Sequence, residues 1–276
     1  MPKKILITGA TGFIGQSVFR LLKENKFKVT GISTEDLDLC DNTKLAKFFK
    51  KNHFDVIIHL AARVPKTEKD VEQRLSIIEN VTSTLNILEE FKKSKTQKFI
   101  FASGISVTAQ LKSLYVLSKY FGEILSQHYI SDKKKITILR ISAPYGPGQK
   151  PNNVIPIFIN NALSNKEIKI FGSGKRSQDF IYIDDVAKAF LSAVRSEKSG
   201  IYNIGSGEST STKKLAQIIL KANPKSKSKI VFQGKDPEEN YRLKMDVSKA
   251  KRDLKFSPKI SIKEGIRRFI ENSHHL

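Results

Sequence analysis

Apolar residues in the first half of this chain alternate between short unbroken runs and helical spacing. Lys3 to Thr8 (KKILIT) is an apolar run ended by Gly9 and reads as a buried strand, after which Ile14, Val18, Leu21 and Leu22 share one helix face. Val29 to Ser33 is a second strand, Leu45, Phe48 and Phe49 mark a second helix, and Asp55 to Ala61 (DVIIHLA) is a third strand. Val81 to Phe91 is helical, Lys98 to Ala102 (KFIFA) extended, Leu114 to Tyr129 helical and Ile136 to Ile141 extended. Strands lacking polar alternation belong to a sheet covered on both faces, and strands alternating with helices are βαβ units. The pattern predicts an α/β fold with a doubly wound parallel sheet of the Rossmann type.

After Ile141 the texture changes. Pro144, Gly146, Pro147, Gly148 and Pro151 make a turn-rich stretch. Shorter elements follow: Ile155 to Leu163, Asp184 to Arg195 and Leu215 to Ala222 helical, Ile168 to Phe171 extended. The division expected is a sheet domain over 1–150 and a smaller C-terminal α/β lobe over 151–276. A later segment near 172–200 is expected to rejoin the first domain, starting around Phe180 to Ile183.

Composition narrows the partners. The 276 residues carry a net charge of +22, which suits an acidic partner such as a phosphate. The lysines are scattered, and no basic stretch is interleaved with aromatics, which argues against nucleic acid as the main partner. No apolar run approaches the ~20 residues of a membrane span, and Met1-Pro2-Lys3-Lys4 leads into too short an apolar stretch for a secretion signal. A single cysteine, Cys40, allows no intrachain disulfide and fits a reducing cytoplasm. No metal site is expected.

Two local patterns carry chemistry. Gly9-Ala10-Thr11-Gly12-Phe13-Ile14-Gly15 stands between the first strand and the first helix. Glycines there permit a tight turn, backbone approach to a pyrophosphate and close strand–helix packing, while the helix N-terminus faces the phosphates. An acid at the end of the second strand would select NAD and an arginine NADP. Ser33 and Thr34 occupy that spot, with Glu35 and Asp36 just beyond, so the choice stays open, with NAD put first. The second pattern is Tyr115-Val116-Leu117-Ser118-Lys119, which sets a phenol and an ammonium on one helix face. The cation is expected to lower the tyrosine pKa and fit it for proton exchange with a hydroxyl. Tyr129 and Lys133 repeat the spacing but lie at the helix end beside a solvated lysine run.

The segments ITGATGFIG (7–15), DVIIHLAA (55–62), YVLSK (115–119), LRISAPYGPGQ (139–149), IKIFGSGKRSQDFIYIDDVAKA (168–189) and YNIGSGESTS (202–211) recur in the order of a known family. The chain resembles the extended short-chain dehydrogenase/reductase family, in its nucleotide-sugar epimerase and dehydratase branch. The resemblance implies a cytoplasmic enzyme, often a homodimer through two helices per subunit, with a nucleotide sugar as substrate. It implies 4-epimerisation through a 4-keto intermediate, with a 4-keto-sugar reductase or a non-catalytic dinucleotide-binding protein as alternatives. Cofactor contacts implied are Gly9, Thr11, Gly12, Phe13, Ile14, Gly15, Ser33, Asp38, Leu39, Leu60, Ala61, Ala62, Asn80 and Ala102, together with Tyr115 and Lys119. Arg176 and Gln178 match the loop that grips the substrate diphosphate, making 151–276 mainly a substrate-binding lobe. Asp184 and Asp185 are expected to cap the following helix. Two departures stand out. Gly104 occupies the place of the family's catalytic Ser/Thr, leaving Ser103, with Ser106 nearby, to supply a hydroxyl. The stretch from Gly104 to Tyr115 is also shorter than usual. Ile105-Ser106 stands where 4,6-dehydratases carry an Asp-Glu pair, which argues against dehydration.

Overall fold

Burial of the early apolar runs decides the architecture. Ile5, Leu6 and Ile7 of β1 (Lys4–Thr8) are inaccessible to solvent, as are the isoleucines of β3 below. The computed structural model describes residues 2–65, 70–108, 113–236 and 238–273. After β1 come α1 (Phe13–Glu24), β2 (Lys28–Ile32), α2 (Asn42–Lys51), β3 (Val56–His59), α3 (Asp70–Lys93), β4 (Lys98–Gly104), α4 (Leu114–His128) and β5 (Lys135–Ile141). Then follow β6 (Ala143–Tyr145), α5 (Val154–Leu163), β7 (Ile168–Phe171), β8 (Ser177–Gln178), β9 (Phe180–Tyr182), α6 (Ile183–Arg195) and β10 (Gly200–Ile204). The last elements are β11 (Thr210–Ser211), α7 (Thr212–Ala222), β12 (Ile230–Gln233), α8 (Ser248–Asp253) and α9 (Ile262–Ser273).

Six strands form one sheet in the order β10-β5-β4-β3-β1-β2, and the pairings from β1 to β5 are parallel. The chain winds outward one way through β2 and the other way through β3, β4 and β5, so the order reverses beside β1. At such a reversal the strand ends leave a crevice. This is the doubly wound α/β fold that the apolar pattern predicts.

Two compact units divide the chain. The first holds residues 1–141, 187–203 and 248–256; the second holds 142–186, 204–247 and 257–276. Within 172–200, residues 187–200 therefore count with the sheet unit. Phe180 to Ile183 does not: β9 pairs with β6 in a two-stranded parallel sheet of the second unit. Its three-residue length is too short for periodicity to show a partner.

α3 begins eleven residues earlier than its apolar spacing announces. Ser76 and Asn80, in the part before Val81, are buried polar side chains, and Ser83 and Thr84 beyond it are buried as well. Hydrogen bonds replace apolar contacts in that earlier part, so the helical period is invisible to a hydrophobicity reading. α4 is fixed differently. The Ser113 side chain accepts from the Val116 N–H at its start, and buried Glu123 holds Arg140 of β5 through Nη2–Oε2 at 2.6 Å and Nε–Oε1 at 2.9 Å. That pair locks the helix carrying Tyr115 and Lys119 onto the sheet.

In the second unit, two buried carboxylates do similar work. Asp179 accepts from the backbone N–H groups of Ser206, Gly207 and Met245. Asp184 and Asp185 lie in the first turn of α6, and Asp185 also accepts from the backbone N–H of Lys259 and of Ile260. Among the described residues no helix is long and apolar enough to cross a membrane, and no group of three or more His, Cys, Asp or Glu side chains could hold a metal ion.

Candidate active site

The turn from β1 into α1 is built so tightly that side chains are excluded. Gly9 has φ +71°, and a Cβ there would lie 2.7 Å from the Ala61 nitrogen. A Cβ on Gly15 would collide with the Gly9 carbonyl oxygen. α1 therefore starts against the end of β1, and Gly12 at its N-cap offers no side-chain acceptor to the first turn. Those N–H groups and the helix dipole suit an anion.

A cavity of about 210 Å³ opens beside this turn. Of the expected cofactor contacts, Gly9, Thr11, Gly12, Ser33, Leu39, Leu60, Ala61 and Ala62 line it, joined by Ile32, Thr34 and Leu37. Phe13, Ile14, Gly15, Asp38, Asn80, Ala102, Tyr115 and Lys119 are not in its wall. Gly15 acts through packing. Asp38 turns its carboxylate back to the Cys40 N–H at 2.9 Å. Asn80 is spent on protein, accepting from the Arg63 N–H at 2.7 Å and donating to the Arg63 carbonyl and to Ser118 Oγ. It thus ties the segment after β3 to α4. The lining fits a dinucleotide: apolar side chains for a base, a glycine turn for a pyrophosphate, and no competing side-chain charge.

The wall is braced by a residue whose role the sequence reading passed over. His59, fully buried, lies 2.7 Å from Thr8 Oγ1 through Nδ1 and 3.2 Å from Thr84 Oγ1 through Nε2. Thr84 spends its hydroxyl proton on the Asn80 carbonyl, so it accepts from Nε2 and leaves Nδ1 to accept from Thr8. Thr8 Oγ1 in turn receives the Ala61 N–H at 3.3 Å. Burial, and secondarily the charge of Lys119, push the His59 pKa down to about 3. The signal was a histidine inside an otherwise apolar strand.

Tyr115 and Lys119 lie one turn apart on α4. Lys119 is buried, donates from Nζ to the Ala102 carbonyl at 3.0 Å, and sits over the Phe101 ring at 5.2 Å. Burial lowers its pKa to about 8. The expected lowering of the Tyr115 pKa does not occur: burial raises it. The ammonium is anchored on β4, so desolvation governs the phenol. Ser118 between them donates to the Tyr115 carbonyl at 2.7 Å and accepts from Asn80. Tyr129, by contrast, bonds Glu89, which together with burial raises its pKa to about 12.

Ser103 is buried at the end of β4, and its Oγ has no hydrogen-bond partner. A buried hydroxyl left open is costly unless a ligand completes it. Ser106 Oγ lies 3.4 Å from the point a Cβ on Gly104 would take. The shortened stretch before Tyr115 includes residues 109–112, which lie outside the described residues.

Both expected diphosphate contacts fall in the second unit. Arg176 pairs with Glu238 at 2.7 Å and lies over the Tyr241 ring at 6.0 Å. Gln178 sits in β8, opposite Thr210 of β11.

Residues 5–205 match the model of the NAD dependent epimerase/dehydratase family. The chain belongs to that family. NAD is accordingly its cofactor, and the β1–α1 corner has the form such an enzyme needs. A curated relative, a putative UDP-glucose 4-epimerase of Methanocaldococcus jannaschii, is 35% identical, with 96% of this chain and 97% of the relative aligned. Among solved structures, a UDP-glucose 4-epimerase from Thermotoga maritima with UDP-glucose superposes at a TM-score of 0.89, with 27% identity and 99% of each chain covered. A UDP-glucuronic acid 4-epimerase from Bacillus cereus, in complex with UDP-glucuronic acid and NAD, reaches 0.85 at 28% identity, again covering 99% of each chain.

Proposed function

We propose that this family member is a nucleotide-sugar 4-epimerase with tightly held NAD. The observation that carries the reading is that Tyr115 and an immobilised Lys119 stand one turn apart on α4, in the same unit as the glycine corner. NAD, when bound, supplies the hydride acceptor and donor. In its phenolate form Tyr115 Oη would take the proton of the sugar C4 hydroxyl as that carbon becomes a carbonyl, and would return it after the sugar has turned its other face; burial raises the phenol's pKa, so that form needs the positive charge brought in with the cofactor. Lys119, held by the Ala102 carbonyl, would orient the cofactor ribose. The open Ser103 Oγ donates to the oxygen at C4, the role left vacant at Gly104. Gly9, Thr11, Gly12, Phe13, Ile14, Gly15, Ser33, Leu39, Leu60, Ala61 and Ala62 form the cofactor corner. Asp38, Asn80 and Ala102 shape it through their backbone and side-chain bonds. Arg176 and Gln178 contact the nucleotide diphosphate. The names of similar epimerases with UDP-sugar ligands support the substrate class.

A homodimer goes with this reading. Val71, Ile78 and Leu85 of α3, at seven-residue intervals, and Phe121 and Ile124 of α4 are exposed. α3 and α4 pack on each other, so a second copy could cover the pair. Sedimentation should show a dimer; a monomer at all concentrations removes this part.

The test is epimer exchange followed by NMR over a panel of UDP- and dTDP-sugars. Tyr115→Phe should lower turnover by about 10²- to 10⁴-fold with bound NAD unchanged. Retained turnover in Tyr115→Phe, or stoichiometric consumption of dinucleotide by the wild type, would overturn the epimerase reading.

A further inference from the structure

The acid expected at the end of β2 is missing, yet a carboxylate has been brought to that place from further along the chain. Ser33 stands where the acid would be, and both its N–H and its hydroxyl donate to Asp36 Oδ2, at 2.8 and 2.7 Å. The 33–36 turn is closed by this side chain as well as by the Leu37 N–H reaching back to the Ser33 carbonyl. Two donors to one oxygen hold the carboxyl below the usual aspartate range, so it is ionised throughout the neutral region. Ser33 and Thr34 themselves line the cavity beside the glycine corner.

The remainder of that cavity sharpens the point. The chain carries 49 lysines and arginines, but none lines this cavity among the described residues. A 2′-phosphate carried in would meet no cation there and would lie beside a fixed negative charge. A free 2′-hydroxyl carries no such penalty, and Ser33, whose proton is spent on Asp36, keeps oxygen lone pairs to receive it.

We propose that Asp36, folded back onto Ser33, is the residue that makes this site select NAD over NADP. It replaces an acid at the strand end by one placed three residues later. The charge acts from beside the cavity wall. It therefore discriminates by repulsion and by fixing the Ser33 hydroxyl, with little effect on NAD affinity itself. The inference rests on the 9–15 corner holding a pyridine dinucleotide.

Calorimetric titration of the full chain, freed of bound nucleotide, separates the two claims. The wild type should bind NAD+ and discriminate against NADP+. Asp36→Asn should tighten NADP+ binding about tenfold, the scale of a unit charge facing a phosphate dianion across roughly 6 Å of watery dielectric, while NAD+ affinity stays within about threefold. Asp36→Glu, which keeps the charge, should preserve most of the discrimination, and Glu35→Gln should leave it unchanged. Raising the salt should narrow the wild-type gap more than the Asp36→Asn gap, because screening acts on the charge alone. An unchanged NAD+ to NADP+ ratio in Asp36→Asn overturns the proposal, as does an equal response in Glu35→Gln. If Asp36→Asn does not fold, loss of discrimination in the folded Asp36→Glu protein, or a wild-type gap that ignores salt, overturns it instead. Failure of the wild type to bind either nucleotide would instead remove the cofactor site itself.

Discussion

Protonation of His59 should cost this protein stability in a pH range where most of its surface is indifferent. The imidazole is sealed between Thr8 and Thr84 and against Phe101, whose ring centroid is 5.9 Å away. Both ring nitrogens are already committed, Nδ1 as an acceptor. A proton added there would meet the Thr8 hydroxyl hydrogen and a low-dielectric wall. Because the folded pKa of about 3 lies below the ordinary 6.5, the unfolded chain binds the extra proton first. The contribution is therefore fully present above pH 6.5 and is lost as pH falls from there towards 3. The slope is about 1.4 kcal/mol per pH unit once the unfolded histidine is charged, which gives about 2 kcal/mol lost between pH 7.5 and pH 5. Other groups titrate too, so the assay is a difference: urea unfolding of the wild type and of His59→Asn at both pH values. The variant will be less stable at pH 7.5, having lost packing. Its further loss on going to pH 5 should be about 2 kcal/mol smaller than that of the wild type. Parallel losses in the two proteins would refute the argument.

Two further substitutions probe the same unit. Gly15→Ala forces a Cβ against the Gly9 carbonyl oxygen and, at 2.9 Å, against Ala10 backbone atoms; it should destabilise by about 1–3 kcal/mol and weaken NAD binding more than tenfold, measurable by calorimetry. Glu123→Ala leaves Arg140, largely buried, without its bidentate partner and should cost about 3 kcal/mol in urea unfolding, whereas Glu123→Gln, which keeps an acceptor, should cost less.

How much of this could be read from the chain depends on which physical signal each part uses. Strands β1, β3, β4 and β5 are buried on both faces, so their apolar runs stand out in any reading. The glycine corner is equally legible, since the Gly9 conformation and the Gly15 contact admit no side chain. The first half of α3 is hidden because Ser76 and Asn80, before Val81, are buried through hydrogen bonds rather than apolar contact. The short strands β6, β8, β9 and β11 have two or three residues each, fewer than a period needs. Their pairing is set by long-range bonds such as those to Asp179, which no local pattern encodes.

The site shows the same division. Spacing alone puts Tyr115 and Lys119 on one helix face, and that much holds for any helix. The direction of the tyrosine's pKa does not follow from spacing. It depends on whether the ammonium or the burial dominates, and here the ammonium is drawn off to the Ala102 carbonyl. Asp36 makes the complementary case: its place in the sequence disqualifies it as the ribose acid, and two hydrogen bonds from Ser33 hold its charge next to a residue that lines the cavity. Local sequence thus fixes which groups are available near the cofactor. The hydrogen bonds each group satisfies elsewhere decide what charge it presents there, and a bare register of motif positions misreads Tyr115 and Asp36 for that one reason.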